Sequence, residues 1–166
     1  CEDSDRHHLE LPYAQDKVIE AIAAVNPNLT VVIVSGNAVA MPWIDKVNGV
    51  VETWYGGSQA GHGLADVLFG KVNPSGKLPF TFPVKLKDNG AHALNAYCPL
   101  DLSVKYKEGI YVGYRWAEKQ NIKPLFAFGH GLSYTTFAYG EACPSDASVS
   151  FGDDFTISVD VTNTGK

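Results

Sequence analysis

The sequence VVETWYGGSQAGHGLADVLFG, residues 50–70, decides the fold of this chain. Residues 50–55 are mostly β-branched or aromatic, which is typical of a buried strand, and Leu64, Val67 and Leu68 recur at helical spacing. The glycines between them permit a tight turn. In open α/β sheets such a turn follows the carboxyl end of a strand, where ligands bind. We therefore predict a strand, a glycine loop and a helix, and the loop is the first candidate site.

The glycine loop does not match the known phosphate-binding patterns. It lacks the Lys-Ser/Thr pair of a P-loop, and the spacing of its glycines does not fit GxGxxG. These glycines are Gly56, Gly57, Gly61 and Gly63. A tight turn without a ligand is therefore favoured over a nucleotide site.

Upstream of this stretch, the pattern predicts a helix over 11–25, a strand over 30–34 and a short helix over 41–47. The first helix carries an apolar stripe formed by Val18, Ile19, Ile22 and Val25. Together with residues 50–70, the order is helix, strand, helix, strand, helix. This alternation predicts an α/β fold with a parallel sheet covered on both faces.

Downstream, the character of the sequence changes. Residues 71–90 contain three prolines and read as an extended segment, and 91–103 read as a surface loop. Aromatic residues alternate with small or polar ones over 106–116, which predicts a strand or hairpin arm. From residue 137 onward, apolar residues alternate at period two, as in a half-buried antiparallel strand. We interpret this last region as the first strands of a β-sandwich.

Composition limits the classes of partner. The 166 residues are 45% hydrophobic and 19% charged, with a net charge of −5 and no run of Lys or Arg. This argues against a nucleic acid or an anionic membrane surface and favours a small neutral or polar ligand. No apolar run reaches the length of a membrane span. The polar start and the turn signal at the end predict that further segments lie on both sides of this chain.

Cysteine and histidine spacing predicts no metal and no cofactor. Cys1, Cys98 and Cys143 form no CxxC motif, so at most one pair could form a disulfide. The histidines show no HExxH spacing and are interpreted as surface or packing residues. They are His7, His8, His62, His92 and His130.

Six stretches, in this order, resemble the second domain of glycoside hydrolase family 3, of the β-glucosidase type. They are EDSDRHHLELP, TVVIVSGNAVAMPWI, VVETWYGGSQAGHGLADVLFGKVNPSGKLPFTFP, YKEGIYVGYRW, FAFGHGLSYTTF and VTNTG. The resemblance implies a flavodoxin-like α/β sandwich layer with a mostly parallel sheet at residues 1–136, incomplete at its N-terminus. It also implies the start of a fibronectin type III-like domain at 137–166, and it makes the glycine loop a packing turn at the centre of the sandwich.

The resemblance further implies a retaining exo-β-glycosidase that uses two carboxyl groups. The family's nucleophile is an Asp on a preceding TIM-like barrel, which is not in this sequence, so this chain alone is expected to be inactive. The family's acid/base is the Glu that precedes a G-x-D-R signature, and this position is Glu2. The chain departs from the signature at Asp3, where the family has glycine. We interpret Asp5 and Arg6 as an ion pair that shapes this segment.

The implied substrate is a β-glucoside or a short β-linked oligosaccharide, and family analogy implies a periplasmic or secreted location. Two alternatives stay open: a non-catalytic carbohydrate-binding or interaction module of the same fold, favoured by Asp3, and a β-xylosidase fragment. An N-acetylglucosaminidase ranks last.

Other candidate residues have weaker support. None of Ser35, Ser58 and Ser133 lies in a GxSxG motif, and Glu108 is interpreted as structural or at the edge of a pocket. Several aromatic side chains could stack on a sugar, although most are expected in the core. These are Trp43, Trp54, Tyr55, Tyr111 and Trp116.

Overall fold

Two parallel strands, β1 (Thr30–Ile33) and β2 (Gly49–Glu52), lie at the centre of the α/β part of the chain. They are seen in a computed structural model that describes residues 6–97 and 103–165. Thr30 lies opposite Gly49, and Ile33 lies opposite Glu52. The β-branched residues of both strands suit a pleated surface that is covered on its faces. The carboxyl ends of the two strands therefore meet at one edge.

Helices precede and follow this pair along the chain. A 3₁₀ turn, Pro12–Ala14, leads into α1 (Gln15–Val25), and another, Gly57–Gln59, leads into α2 (Ala60–Leu68). Further along the chain are α3 (Gly90–Ala93) and α4 (Tyr114–Gln120). The strand, glycine loop and helix predicted for residues 50–70 are confirmed, and so is the α/β class. None of the helices within residues 6–97 and 103–165 combines the length and the apolar character needed to cross a membrane.

The connection from β1 to β2 contains one 3₁₀ turn, Ile44–Lys46, instead of the helix predicted over 41–47. Val39, Met41 and Trp43 are buried, whereas Pro42 between the last two is exposed. Pro42 and Trp43 already belong to a turn, so the segment enters the core as irregular chain that leads into the 3₁₀ turn.

Trp43 and Phe82 anchor the core. Both are fully buried, and the Nε1 of Trp43 donates a hydrogen bond of 2.6 Å to Asp16 Oδ1 on α1. Phe82 pairs with Phe126 in an antiparallel bridge and stacks on Phe80 with ring centroids 5.4 Å apart. The middle of the segment predicted as extended over 71–90 therefore enters the core, whereas Leu86–Asp88 form a 3₁₀ turn and α3 begins at Gly90. The remaining buried members of this cluster are Val31, Ile33, Ala38, Val39 and Met41.

The strand or hairpin arm predicted over 106–116 is wrong. Residues 107–110 form a turn, and α4 begins at Tyr114 after Gly113, whose φ is +63°. Trp116 and Ala117 are the buried residues of α4. A positive φ at Gly113 interrupts any extended run. Short aromatic runs do not distinguish a strand from a helix that buries one side.

Short antiparallel strands follow residue 136, in agreement with the predicted pairing mode. β3 (Phe137–Tyr139) pairs with β6 (Val161–Asn163), and β4 (Cys143–Pro144) pairs with β5 (Ile157–Ser158). The predicted alternation is thus divided between two pairs. Cys143 is exposed, and its thiol lies 3.7 Å from the carbonyl oxygen of Glu141. Cys1 and Cys98 lie outside the described residues.

Replacing Phe82 by alanine should lower the free energy of unfolding by about 3–5 kcal/mol, because the side chain is 1% exposed and contacts several rings. Urea unfolding followed by tryptophan fluorescence measures this loss. The matched control is Phe151→Ala at an exposed position, which should change stability by less than about 0.5 kcal/mol. Equal losses in the two variants would contradict the assignment of the core.

Candidate functional site

The loops that follow β1 and β2 meet at the carboxyl edge of the parallel pair. Thr53 continues the ladder, since its N–H donates to the Ile33 carbonyl at 3.0 Å. Beyond it, the chain turns at Trp54, which has a left-handed φ of +53°. In α/β proteins this edge is where ligands bind. The polar side chains that lie there are therefore the candidate site.

The Glu52 carboxyl group joins the two loops. Its Oε1 accepts a hydrogen bond of 3.0 Å from the Trp54 N–H, and its Oε2 lies 3.1 Å from Ser35 Oγ. Burial raises the pKa of Glu52, and this effect exceeds the opposing one of hydrogen bonds from the Trp54 backbone and from the hydroxyl and backbone of Ser35. Glu52 was not among the sequence candidates. The available signal was a carboxylate that ends an otherwise apolar strand.

The Ser35 hydroxyl lies between two acceptors. It is 2.7 Å from the Asn37 carbonyl oxygen and 3.1 Å from Glu52 Oε2, but a hydroxyl has one hydrogen to donate. The hydroxyl can therefore donate to only one of them at a time. Burial has the larger effect on the pKa of Glu52 and raises it, whereas the hydrogen bond from Ser35 lowers that pKa.

Arg6 attaches the N-terminal segment to this edge. Its Nη2 donates to the Ala38 carbonyl at 3.0 Å, and the Ala40 N–H donates to the Leu9 carbonyl at 2.8 Å. The Asn37 side chain caps the Ala38 N–H at 2.9 Å. The predicted acid/base, Glu2, lies outside the described residues, as do Asp3 and Asp5. The structure therefore shows how Arg6 is attached, and the ion pair between Asp5 and Arg6 stays a prediction.

Tyr55 places an exposed aromatic ring at the same edge. The side chain is 77% exposed and lies against Gly36, where an added Cβ would come within 2.7 Å of the ring. Gly36 therefore permits this close contact. Among the other aromatic candidates, Trp43 and Trp116 are buried, and Trp54 and Tyr111 are half-buried.

The glycine loop, by contrast, is exposed, and close packing within it is confined to Gly56, where an added Cβ would come within 2.8 Å of the Ala60 Cβ. Residues 56–63 are exposed, and added Cβ atoms at Gly57, Gly61 and Gly63 would meet no neighbour within 4 Å. The prediction of a packing turn at the centre of the sandwich is wrong for the described residues. Only the far half of α2, with Leu64 and Val67, is half-buried.

The remaining sequence candidates do not gather at this edge. Ser58 is exposed, Ser133 donates to the Asn73 side chain, and Glu108 is half-buried. Among residues 6–97 and 103–165, no group of three or more His, Cys, Asp or Glu side chains could hold a metal ion. An open cleft of about 550 Å³ lies at the opposite edge of the pair, beside Pro27 and Asn48.

Comparisons with known proteins agree with this architecture. A family model described as the glycosyl hydrolase family 3 C-terminal domain matches residues 1–134. The chain is 50% identical to a β-glucosidase of Bacteroides ovatus over 168 aligned positions, which cover 100% of this chain and 22% of that protein. It is 51% identical to thermostable β-glucosidase B of Acetivibrio thermocellus, covering 98% of this chain and 21% of that protein.

A solved structure is similar as well. The β-glucosidase DesR of Streptomyces venezuelae, in complex with D-glucose, superposes with a TM-score of 0.92 at 42% identity, covering 99% of this chain and 21% of that protein. The chain therefore spans about a fifth of the length of the relatives it matches.

Replacing Glu52 by glutamine should reduce the pH dependence of stability. Because the pKa of Glu52 is raised on folding, the folded chain binds more protons than the unfolded chain above the ordinary glutamate value of about 4.3. The free energy of unfolding therefore falls as pH rises from that value through the raised pKa. Urea unfolding at about pH 4 and pH 7 measures this difference, from which the fall contributed by Glu52 should be missing in Glu52→Gln. An unchanged difference in Glu52→Gln would refute the effect.

Proposed function

This chain belongs to glycosyl hydrolase family 3, and we propose that it is the part of a retaining, exo-acting β-glycosidase that carries the general acid/base, Glu2. The observation that carries the proposal is the attachment of Arg6 to the carboxyl edge of the sheet. Arg6 follows Glu2 by four positions in the sequence, so this attachment supports an acid/base near that edge.

The proposed reaction uses Glu2 in two steps. Glu2 first protonates the leaving glycosidic oxygen while a carboxylate nucleophile attacks the anomeric carbon. It then removes a proton from the water that hydrolyses the glycosyl-enzyme. We place the nucleophile on a TIM-like barrel that precedes this chain. The relatives at about 50% identity are β-glucosidases, so the proposed substrate is a β-glucoside or a short oligosaccharide with a terminal β-glucosyl residue.

Exposed apolar side chains support a neighbouring domain. Tyr13 is 94% exposed, Val25 82% and Phe69 88%, and all three belong to or adjoin α1 and α2. Large exposed apolar surfaces on folded proteins mark contacts with other domains or chains. We propose that the barrel covers part of this surface.

We propose the same domain boundaries as the sequence predicts: a flavodoxin-like layer over 1–136 and the start of a fibronectin type III-like domain over 137–166. The parallel pair β1–β2 lies in the first range, and the antiparallel pairs lie in the second. A periplasmic or secreted location is proposed by analogy with the family.

Asp3 favours a second candidate, a non-catalytic carbohydrate-binding module, because a side chain stands where the family has glycine. Asp3→Gly in the longer protein separates the two. In an enzyme, this change alters an existing hydrolytic rate, whereas a binding module has none to alter.

The isolated chain should release no nitrophenol from nitrophenyl β-glucoside, because the nucleophile belongs to the barrel. The assay is run with purified chain, alongside a chimera in which the chain replaces the matching region of the Bacteroides ovatus relative. Activity in the chimera but not in the isolated chain is the expected result. Turnover by the isolated chain, at a level that survives repurification, would contradict the proposal.

In the longer protein, Glu2→Ala should lower kcat/KM on an unactivated β-glucoside by about 10²–10⁴-fold, the usual contribution of general acid catalysis. Azide should restore turnover of an activated aryl glucoside, since it attacks the glycosyl-enzyme without needing a base. The matched control is Glu10→Ala, at an exposed carboxylate that pairs with His8. Normal turnover in Glu2→Ala would exclude Glu2 as the acid/base.

A further inference from the structure

We propose that residues 133–136 form a joint that fixes the β-stranded part of the chain, residues 137–165, to the segment that contains α2, residues 60–73. The two regions then open and close together. This inference goes beyond the proposed function and does not depend on it. A flexible connection would leave its polar side chains in solvent. Each of the four residues of the joint instead makes a side-chain hydrogen bond to one of the two regions.

Asn73 and α2 hold the first half of the joint. The Oδ1 atom of Asn73 accepts two hydrogen bonds of 2.9 Å, one from the Ser133 hydroxyl and one from the Tyr134 N–H. The Tyr134 hydroxyl donates to the Val67 carbonyl of α2 at 2.7 Å. Three directional bonds on two consecutive residues define an orientation as well as a position. The first half of the joint is therefore attached firmly to the α2 segment.

The chain that leads into the joint is fixed as well. The Leu78 N–H donates to the His130 carbonyl at 2.8 Å, and the Gly129 N–H donates to the Leu78 carbonyl at 2.8 Å. The two stretches run in opposite directions, so the residues after His130 lie beside those before Leu78. This arrangement brings Ser133 to Asn73.

The second half of the joint belongs to the β-stranded part. The Thr135 hydroxyl donates to Asn163 Oδ1 at 2.6 Å, and the hydroxyls of Thr136 and Thr164 lie 2.9 Å apart. The Thr164 N–H also donates to the Thr136 carbonyl at 2.8 Å. These bonds extend the β3–β6 pairing beyond its last register pair, Phe137 with Asn163. The second half of the joint therefore moves with this pair of strands.

The Ser133 hydroxyl connects the two halves. It donates to Asn73 and accepts the Thr135 N–H at 3.3 Å, so the bonds run in series from Asn73 to Asn163. The two asparagines have matching roles, because each Oδ1 accepts one hydroxyl and one backbone N–H. At Asn163 that N–H is the one of Gly165, at 3.1 Å. Loosening either end should therefore loosen the other.

The β3–β6 pair depends on this attachment, because few other contacts stabilise it among the described residues. It contains two strands, and Phe137, Tyr139 and Val161 are all exposed. An isolated two-stranded pair is marginally stable at best in water. Each exposed hydrogen bond of the joint contributes modestly, but several act on the same pair. The joint therefore supplies a large share of the order of β3 and β6.

Amide hydrogen exchange, followed by mass spectrometry on this chain, measures local opening in each segment. Asn73→Ala should speed exchange in β3 and β6 by about five- to thirtyfold, because two hydrogen bonds to the joint are lost. Asn163→Ala should in turn speed exchange at Gly70 and Val72, whose N–H groups donate to carbonyls of α2. Coupling between two sites is reciprocal, so the two factors should be similar.

Further variants test the series of bonds. Thr135→Val keeps the β-branched shape but removes the hydroxyl that reaches Asn163. In that background, Asn163→Ala should change exchange at Gly70 and Val72 by less than about twofold, because the connection is already cut. The matched control is Asn28→Ala, at an exposed position whose side chain makes no hydrogen bond within the described residues. It should leave exchange in α2, β3 and β6 unchanged.

Strand β1 is the internal reference, and its exchange should change by less than about twofold in every variant. If Asn73→Ala acts only near residue 73 and Asn163→Ala only in β6, the two halves behave independently and the joint is wrong. Equal increases in β1, α2 and β3 would mean that the whole chain is destabilised, and would also overturn the inference. Because no substrate is involved, none of these outcomes bears on the proposed acid/base.

Discussion

The parallel pairing of β1 with β2 is the constraint on which the α/β part of the chain depends. Parallel strands cannot be joined by a tight hairpin, so the connection must cross from one end of the pair to the other. Here the crossing segment carries Val39, Met41 and Trp43 into the core. The same segment therefore both connects the two parallel strands and fills the core. Pairing Ile33 with Glu52 also ends both strands at one level, which brings the two following loops together.

Polar groups lie where the orientation of neighbouring elements is fixed as well as their burial. Trp43 is fully buried, yet its indole N–H reaches Asp16 on α1 and fixes that helix to the crossing segment. At the strand ends, the Glu52 carboxyl group joins two loops by hydrogen bonds in the same way. A hydrophobic contact is non-directional, whereas these bonds specify orientation. The fold thus uses apolar side chains for stability and a few hydrogen bonds to define the geometry of the edge.

The sequence predicted the elements whose periodicity is long and consistent, and it failed where short runs were ambiguous. The strand and helix of residues 50–70 were predictable because a β-branched run changes to helical spacing across a glycine loop. The region around Tyr111 and Trp116 was not, because a few alternating aromatics suit either a strand or a half-buried helix. The exposure of residues 56–63 was also not predictable, since glycine spacing indicates a turn but not what lies against it.

The residues of the candidate site were likewise predictable only in part. Glu2 could be proposed only from the motif that surrounds it, because an isolated acidic run is indistinguishable from a solvated segment. Glu52 was missed because one carboxylate at a strand end has no distinctive sequence pattern. Its importance appears only when pairing places Ser35 and Trp54 on either side of it. The left-handed turn at Trp54 is likewise a consequence of tertiary contacts, which override local preference.

In the proposed function, the position of the acid/base depends in part on how the N-terminal segment is attached to the sheet edge. A hydrogen bond from a charged donor contributes about 1.5–3 kcal/mol, so the bond from Arg6 to Ala38 is strong enough to hold one point of that segment. One fixed point, however, defines a position and not an orientation. The second contact, between Ala40 and Leu9, adds the direction of the chain on the far side of Arg6. In the proposed function, the second constraint on the acid/base would come from the barrel, so its correct position would depend on the assembly of the two domains.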